Sequence, residues 1–239
     1  MLVQVYVDDI IFGSTKNSWC DEFEALMKNR FQMSSMGELT FFLGLQVKQK
    51  EDGIFISQDK YVAEILKKFD FLNVKTVSTP IETKFQVTPK TSHLQAMKKI
   101  FRYLKGQPKL GLWYPRKSTF DMEAYSDSDY AGANHDRKST TGGCQFLGKR
   151  LISWQCKKQT IVATSTTEAE YVAAASCCGQ ALWIQNQMLD YGFNFLNTRI
   201  YIDNESTICI VKNPVFHPKT KHIEIRHHFI KDAYEKKLI

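Results

Sequence analysis

The segment Ala124 to Gly132, AYSDSDYAG, restricts the fold more than any other part of the chain. Its residues alternate as a strand does: Tyr125, Asp127 and Asp129 share one face, and Ala124, Ser126 and Ser128 take the other. Small side chains on one face and acids on the other make an unusual strand. Crowded carboxylates repel one another, and a hard divalent cation is the partner that best neutralises them. The strand therefore predicts a metal-binding acid at Asp127 and calls for further carboxylates from elsewhere in the chain.

Two later segments offer them. STTEAEYVAAASCCGQALWIQNQML is apolar on most sides, the pattern of a buried helix. Ser165 with Glu168 three residues on fits the capping box, in which Ser caps the helix and Glu returns to the cap amide. Glu170 then lies about 200° around the helix from Glu168, available either for chemistry or for offsetting the helix dipole. Arg199 to Ile202 reads as a short strand ending at Asp203. That acid is either the N-cap of the next helix or a site residue, and Asn204 and Ser206 are alternative caps. An acid at the end of an apolar strand also sits where α/β sheets bind ligands. Between these segments, strands near Cys144 to Leu147 and Leu151 to Cys156 follow Asp127 through short connections, which predicts an antiparallel meander.

Upstream, Val3 to Tyr6 and Ile10 to Phe12 are β-rich runs joined across Val7, Asp8 and Asp9, a hairpin with acids at its tip. Phe23, Leu26, Met27 and Phe31 recur at helical spacing. GELTFFLGLQVKQKEDGIFISQ reads as a strand, an Asp52-Gly53 turn and a return strand, followed by an amphipathic helix from Gln58 to Asp70. From Ser92 to Gly106, Leu94, Met97, Phe101 and Leu104 form an apolar stripe, while Lys98, Arg102 and Lys105 line another face. Those cations make either a solvated face or a row that tracks a nucleic-acid backbone.

With 239 residues and 43% hydrophobic composition the chain is long enough for one large or two modest domains. The net charge of +7 suits a polyanionic partner. No apolar run is long enough to span a membrane, and the first residues lack a signal-peptide pattern, so an intracellular place, cytoplasmic or nuclear, is expected. The six cysteines show no CxxC pair and read as reduced, mostly buried residues. His217, His222, His227 and His228, beside Lys219, Lys221, Arg226 and Lys231, read as a solvated basic helix end that touches phosphates and gains charge at mildly acidic pH.

LVQVYVDDIIFGS, MGELTFFLGLQV and ISQDKYVAEILKKF resemble the reverse transcriptase of copia-type LTR retrotransposons. AYSDSDYAG, RKSTTGGCQFLG, LISWQCKKQTIVATSTTEAEYVA, IYIDNES and NPVFHPKTKHIEIRHHFI resemble the ribonuclease H domain of the same Pol polyproteins. The resemblance implies an α+β and α/β fold. Residues 1–84 would be a truncated polymerase palm and thumb remnant and residues 85–119 a basic helical connection. Residues 120–239 would be a ribonuclease H-like mixed sheet with flanking helices, its last strand missing. It implies that Asp127, Glu170 and Asp203 hold two Mg²⁺ (or Mn²⁺) ions for cleaving the RNA strand of an RNA-DNA hybrid. It further implies that Asp8 and Asp9 are metal ligands of the polymerase remnant. Ser165, Thr166 and Thr167 would contact the minor groove of the hybrid, where 2′-hydroxyls mark RNA. Lys98, Arg102 and Lys105 would add backbone contacts, and the rest of a Pol polyprotein would be a partner.

Against that pattern the chain is expected to lack the upstream polymerase aspartate and part of the thumb. It is also expected to lack the fifth strand and last helix with the nuclease's fourth carboxylate, for which Glu224 and Asp232 are the nearest remaining acids. Polymerase activity is not expected, and the nuclease reading stands beside that of a catalytically inert relic that binds nucleic acid. A transposase or integrase would order its acids Asp, Asp, Glu, whereas these run Asp, Glu, Asp.

Overall fold

The computed structural model describes residues 1–79, 91–133, 135–195, 197–213 and 222–239. The expected junction at 84/85 and the side chains of His217, Lys219 and Lys221 lie outside the described residues. The chain forms a mixed α/β structure with three sheets.

β1 (Leu2–Tyr6) and β2 (Asp9–Gly13) pair antiparallel with Tyr6 opposite Asp9, so Val7 and Asp8 form the tip. Val7 takes φ +52°, a left-handed conformation that a β-branched residue resists. Val3 and Val5 are exposed, and Ile10 and Ile11 are half-buried. α1 (Asn17–Arg30) buries none of its residues, although Phe23 sets its ring 4.9 Å from that of Phe12. This hairpin and helix carry little core of their own.

The second sheet runs β3 (Phe41–Phe42), β4 (Leu45–Lys50), β5 (Gly53–Ser57), β6 (Gly111–Pro115), all antiparallel. Lys50 pairs with Gly53, so the turn residues are Glu51 and Asp52, one place earlier than the Asp52-Gly53 turn the sequence suggests. Gly53 is needed for a different reason. A Cβ there would collide with the carbonyl of Tyr114 and the ring of Trp113 on β6, so glycine permits the close approach of that strand. α2 (Asp59–Lys68) meets α3 (Thr91–Gly106) through Phe101, whose ring lies 5.3 Å from Phe69 and 5.1 Å from Phe71. Both α3 and β6 come from residues 85–119, and both pack on elements that precede residue 70.

In the third sheet the strand order is β10–β7–β8–β9. β7 (Met122–Ser128), β8 (Thr140–Leu147) and β9 (Arg150–Lys158) form an antiparallel meander, and β10 (Arg199–Ile202) lies parallel to β7. A parallel neighbour needs a crossover, and α4 (Thr166–Asp190) supplies it. α4 packs against β7 and β8. Its Ala173, Ala174, Ala175, Cys178 and Ala181 are wholly buried, as is Ala124 on the facing side of β7. Small side chains on both surfaces let helix and strand lie close, which explains the alternation of small and acidic residues along β7. α5 (Glu205–Lys212) and α6 (Phe229–Glu235) close the core around Tyr171, Val211, Ile223 and Ile230. Among the described strands β10 is an edge of its sheet.

The second and third sheets are tied directly. Tyr114 donates its hydroxyl to the Leu151 carbonyl at 2.7 Å, and the Arg150 guanidinium donates to the carbonyls of Pro115 and Arg116 at 2.9 and 3.2 Å. Cysteine burial departs from expectation. Cys177 and Cys178 are buried because α4 is, Cys20 and Cys144 are half-buried, and Cys156 and Cys209 are exposed. No described helix is long and apolar enough to cross a membrane.

Candidate metal centre

The parallel pairing of β10 with β7 sets Ile202 opposite Ser126, so the next residues, Asp203 and Asp127, fall side by side at the same end of the sheet. Glu170, in the second turn of α4, comes up beneath them. One carboxylate oxygen from each of Asp127, Glu170 and Asp203 lies within 4.8 Å of the others. Among the described residues this is the one group of three or more His, Cys, Asp or Glu side chains close enough to share an ion.

The three acids are not equivalent. Asp127 and Asp203 are exposed, whereas Glu170 is buried. Glu170 Oε1 accepts the Ser128 backbone N–H at 2.9 Å, while its Oε2 is buried with no hydrogen-bond partner. Burial pushes its pKa up to about 7; the Ser128 N–H pulls the other way, and the carboxylates of Asp203 and Asp127 push it up further. A buried, unpartnered carboxylate oxygen facing two more acids fits a divalent cation, which would supply the missing partner and offset the repulsion.

The neighbouring residues take over the bland roles. Asn204 Oδ1 accepts the Thr207 N–H at 2.8 Å and is the cap of α5, so Asp203 is not needed as its cap. Ser165 caps α4 by accepting the Glu168 N–H at 3.1 Å. Glu168 does not return to the cap amide as the capping box suggests. Its Oε2 accepts from Thr164, the N–H at 2.6 Å and the hydroxyl at 2.7 Å, with His222 Nε2 at 3.7 Å. Two donors on Thr164 outcompete the single amide of Ser165. Glu168→Ala is accordingly expected to lower stability by about 2 kcal/mol, the usual worth of hydrogen bonds to a buried charge. A urea-unfolding midpoint measures that loss.

Of the three hydroxyl residues at the start of α4, Thr166 is exposed, Ser165 is half-buried and engaged as the cap, and the Thr167 carbonyl accepts the Thr207 hydroxyl at 3.1 Å. Lys98, Arg102 and Lys105 are half-buried on α3. Lys105 donates to the Val74 carbonyl at 2.7 Å and Arg102 to the Lys98 carbonyl at 3.4 Å, so part of the cationic row is spent inside the chain. Asp8 and Asp9 stand exposed at the hairpin tip. Glu224 pairs with Arg226 at 2.7 Å, and Asp232 is exposed on α6; neither joins the three acids.

Within the histidine run His222 is exposed, as its charge suggests, but His227 and His228 are not solvated. His228 is buried with its Nδ1 3.0 Å from the Tyr171 hydroxyl, and His227 is half-buried beside Glu224. Burial first, then nearby cations, lowers the pKa of both, so they resist gaining charge at mildly acidic pH. This end of the run packs onto α4 through Ile223 and Ile230, which lie in the core, while Ile225 and Phe229 stay exposed.

Residues 1–83 match the reverse transcriptase (RNA-dependent DNA polymerase) family. Over 97% of its length the chain is 31% identical to the retrovirus-related Pol polyprotein from transposon RE1 of Arabidopsis thaliana, covering 19% of that protein. Over 98% it is 26% identical to the Pol polyprotein from transposon TNT 1-94 of Nicotiana tabacum, covering 22%. The chain thus spans about a fifth of the length of these relatives. Both alignments run over more positions, 275 and 287, than the 239 residues of the chain, so the relatives carry intervening residues that it lacks. An uncharacterized mitochondrial protein of Arabidopsis thaliana is 30% identical over 77% of the chain, which covers 94% of it. No solved structure matches. Matched from end to end by Pol polyproteins and by the reverse transcriptase family over its first third, the chain belongs to the copia-type retrotransposon Pol polyprotein family.

Proposed function

We propose that residues 120–239 are a ribonuclease H-like domain that hydrolyses the RNA strand of RNA-DNA hybrids, with Asp127, Glu170 and Asp203 as its metal ligands. Residues 1–84 are then a polymerase remnant and 85–119 the connection between them. The observation that carries this reading is the convergence of three carboxylate oxygens within 4.8 Å, one of them buried and unpartnered. Two Mg²⁺ or Mn²⁺ ions bound there would supply the activated water and stabilise the charge on the leaving 3′-oxygen. Asp127 and Asp203, being exposed, face the incoming phosphodiester. Glu170 is anchored by the Ser128 N–H and sets the depth of the site from below. With a pKa of about 7, Glu170 is about half protonated in neutral, metal-free protein, and the protonated fraction must release its proton to become a ligand. Thr166, exposed one turn before Glu170, is within the stretch suited to the minor groove, where 2′-hydroxyls separate RNA from DNA. The surplus of seven positive charges favours a polyanionic substrate.

At the other end of the chain, Asp8 and Asp9 have no third metal-binding acid beside them among the described residues, and no polymerase activity is proposed. The test is incubation of a hybrid labelled on either strand with the protein and Mg²⁺ or Mn²⁺. Cleavage confined to the RNA strand supports the reading. Intact RNA together with salt-sensitive hybrid binding replaces it with an inert nucleic-acid-binding relic.

A further inference from the structure

We propose that Gln159 is a positioning residue that locks the helix bearing Glu170 to the strand bearing Asp127; this rests on the metal-centre reading above. Gln159 follows β9 directly and is buried. Its side-chain Nε2 donates to the Ala169 carbonyl at 2.9 Å, to Thr141 Oγ1 at 3.1 Å and to Ser128 Oγ at 3.2 Å. Its backbone N–H donates to the Ser139 carbonyl at 2.8 Å. Ala169 immediately precedes Glu170, and Ser128 immediately follows Asp127.

A single amide therefore joins the residue next to each of two acids. It also holds Ser128, whose own N–H grips Glu170 Oε1. The Ala169 carbonyl only accepts, which fixes the NH₂ end of the amide toward these partners. Two hydrogens serve three acceptors, so at least one is shared, and a small displacement of any partner is felt by the others. Gln159 Oε1, meanwhile, is buried with no partner. A fold that needed only filler at this position would do better with an apolar side chain. What the amide provides is a fixed spacing between α4 and β7, the spacing on which the three carboxylates converge. Partners that hold metal ligands in place from behind have measurable effects on affinity.

Gln159→Met keeps the volume and removes the donors. Gln185→Met is the matched control: Gln185 is equally buried, lies on α4 itself, and donates to Thr198 Oγ1 at 2.7 Å and the Leu238 carbonyl at 2.9 Å, about 22 Å along that helix from Glu170. Three quantities are read for each: thermal midpoint, Mn²⁺ affinity by calorimetry, and hydrogen exchange of the Ser128 amide in metal-free protein. Gln159→Met is expected to weaken Mn²⁺ binding by about 10- to 100-fold and to deprotect the Ser128 amide, with Gln185→Met leaving both as in the parent. Mn²⁺ affinity and Ser128 protection unchanged in Gln159→Met overturn the proposal, as does an equal loss in Gln185→Met. Thr141→Val, which removes one partner of the same amide, gives the comparison if Met at 159 prevents folding. Failure of the parent protein to bind Mn²⁺ counts against the metal centre itself, while exchange at Ser128 still decides the role of Gln159.

Discussion

Asp127→Asn is expected to lower RNA-strand hydrolysis by more than about a hundredfold while leaving the fold intact. Residues that merely support a metal ligand already cost about 10- to 100-fold when replaced, and in the proposed site Asp127 would touch the ion and the phosphodiester, so its loss starts above that range. Asparagine matches the shape of aspartate, and Asp127 is exposed at the end of β7, so no cavity and no buried orphan is created. Its strand pairing is through backbone, opposite Gly142, and is not altered. Removing the charge also relieves Glu170, whose carboxyl is pushed upward in part by Asp127. The substituted protein is therefore expected to unfold at the same temperature or slightly higher in the absence of metal, and to lose the stabilisation that Mg²⁺ gives the parent. Asp203→Asn should behave alike, since β10 sets it beside Asp127 at the same end of the sheet. A parallel loss of activity and of thermal stability in both would show instead that these acids serve the fold. Equal hydrolysis by parent and Asp127→Asn would remove the nuclease reading.

How much of this site was legible in the sequence depends on the physics behind each residue. Alternation along AYSDSDYAG put Asp127 on the open face because burial and strand period leave one choice, and Ala124 is indeed wholly buried while Asp127 is exposed. Glu170 was separable from Glu168 by helix geometry, and Asn204 was an available cap in place of Asp203; both are local rules. The partner of Glu168 was misread because the capping box supplies one amide, whereas Thr164, one residue earlier, offers an amide and a hydroxyl together. His227 and His228, though not the exposed His222, were misread for a broader reason. Their charges suggested solvent, but the decision belonged to Ile223 and Ile230, which α4 needed to cover Tyr171 and Cys178. Gln159 gave no signal at all, since its worth comes from three partners distant in sequence. Nor did β6, whose pairing with β5 joins residues about sixty places apart, while local patterns end at the turn.

Metal-free protein is expected to lose thermal stability through Glu170 as pH rises from about 4.5 to about 7. An unfolded chain releases the proton of a glutamate near its ordinary value of 4.5, whereas the folded carboxyl, desolvated and next to Asp203 and Asp127, keeps it to about 7. Between these values the folded state binds more protons, so its advantage shrinks with increasing pH and the loss is complete above pH 7. His227 and His228 act in the opposite sense. Burial lowers their pKa, the unfolded state then binds the extra protons, and their contribution grows as pH rises toward the ordinary histidine value of 6.5. The parent curve is the sum of both, so the diagnostic quantity is the difference in thermal midpoint between the parent and Glu170→Gln. Glutamine keeps an acceptor for the Ser128 N–H and carries no charge to desolvate. The variant is expected to match the parent at pH 4.5 and to exceed it increasingly up to pH 7.5, by about 2–4 °C for each kcal/mol relieved. Mg²⁺ should reverse the order at pH 7.5, stabilising the parent and not Glu170→Gln, because in the proposed site the same buried, unpartnered oxygen that burdens the metal-free fold would hold the cation. A midpoint difference that stays constant from pH 4.5 to 7.5 would mean that water reaches Glu170 and that its carboxyl ionises as an ordinary one does.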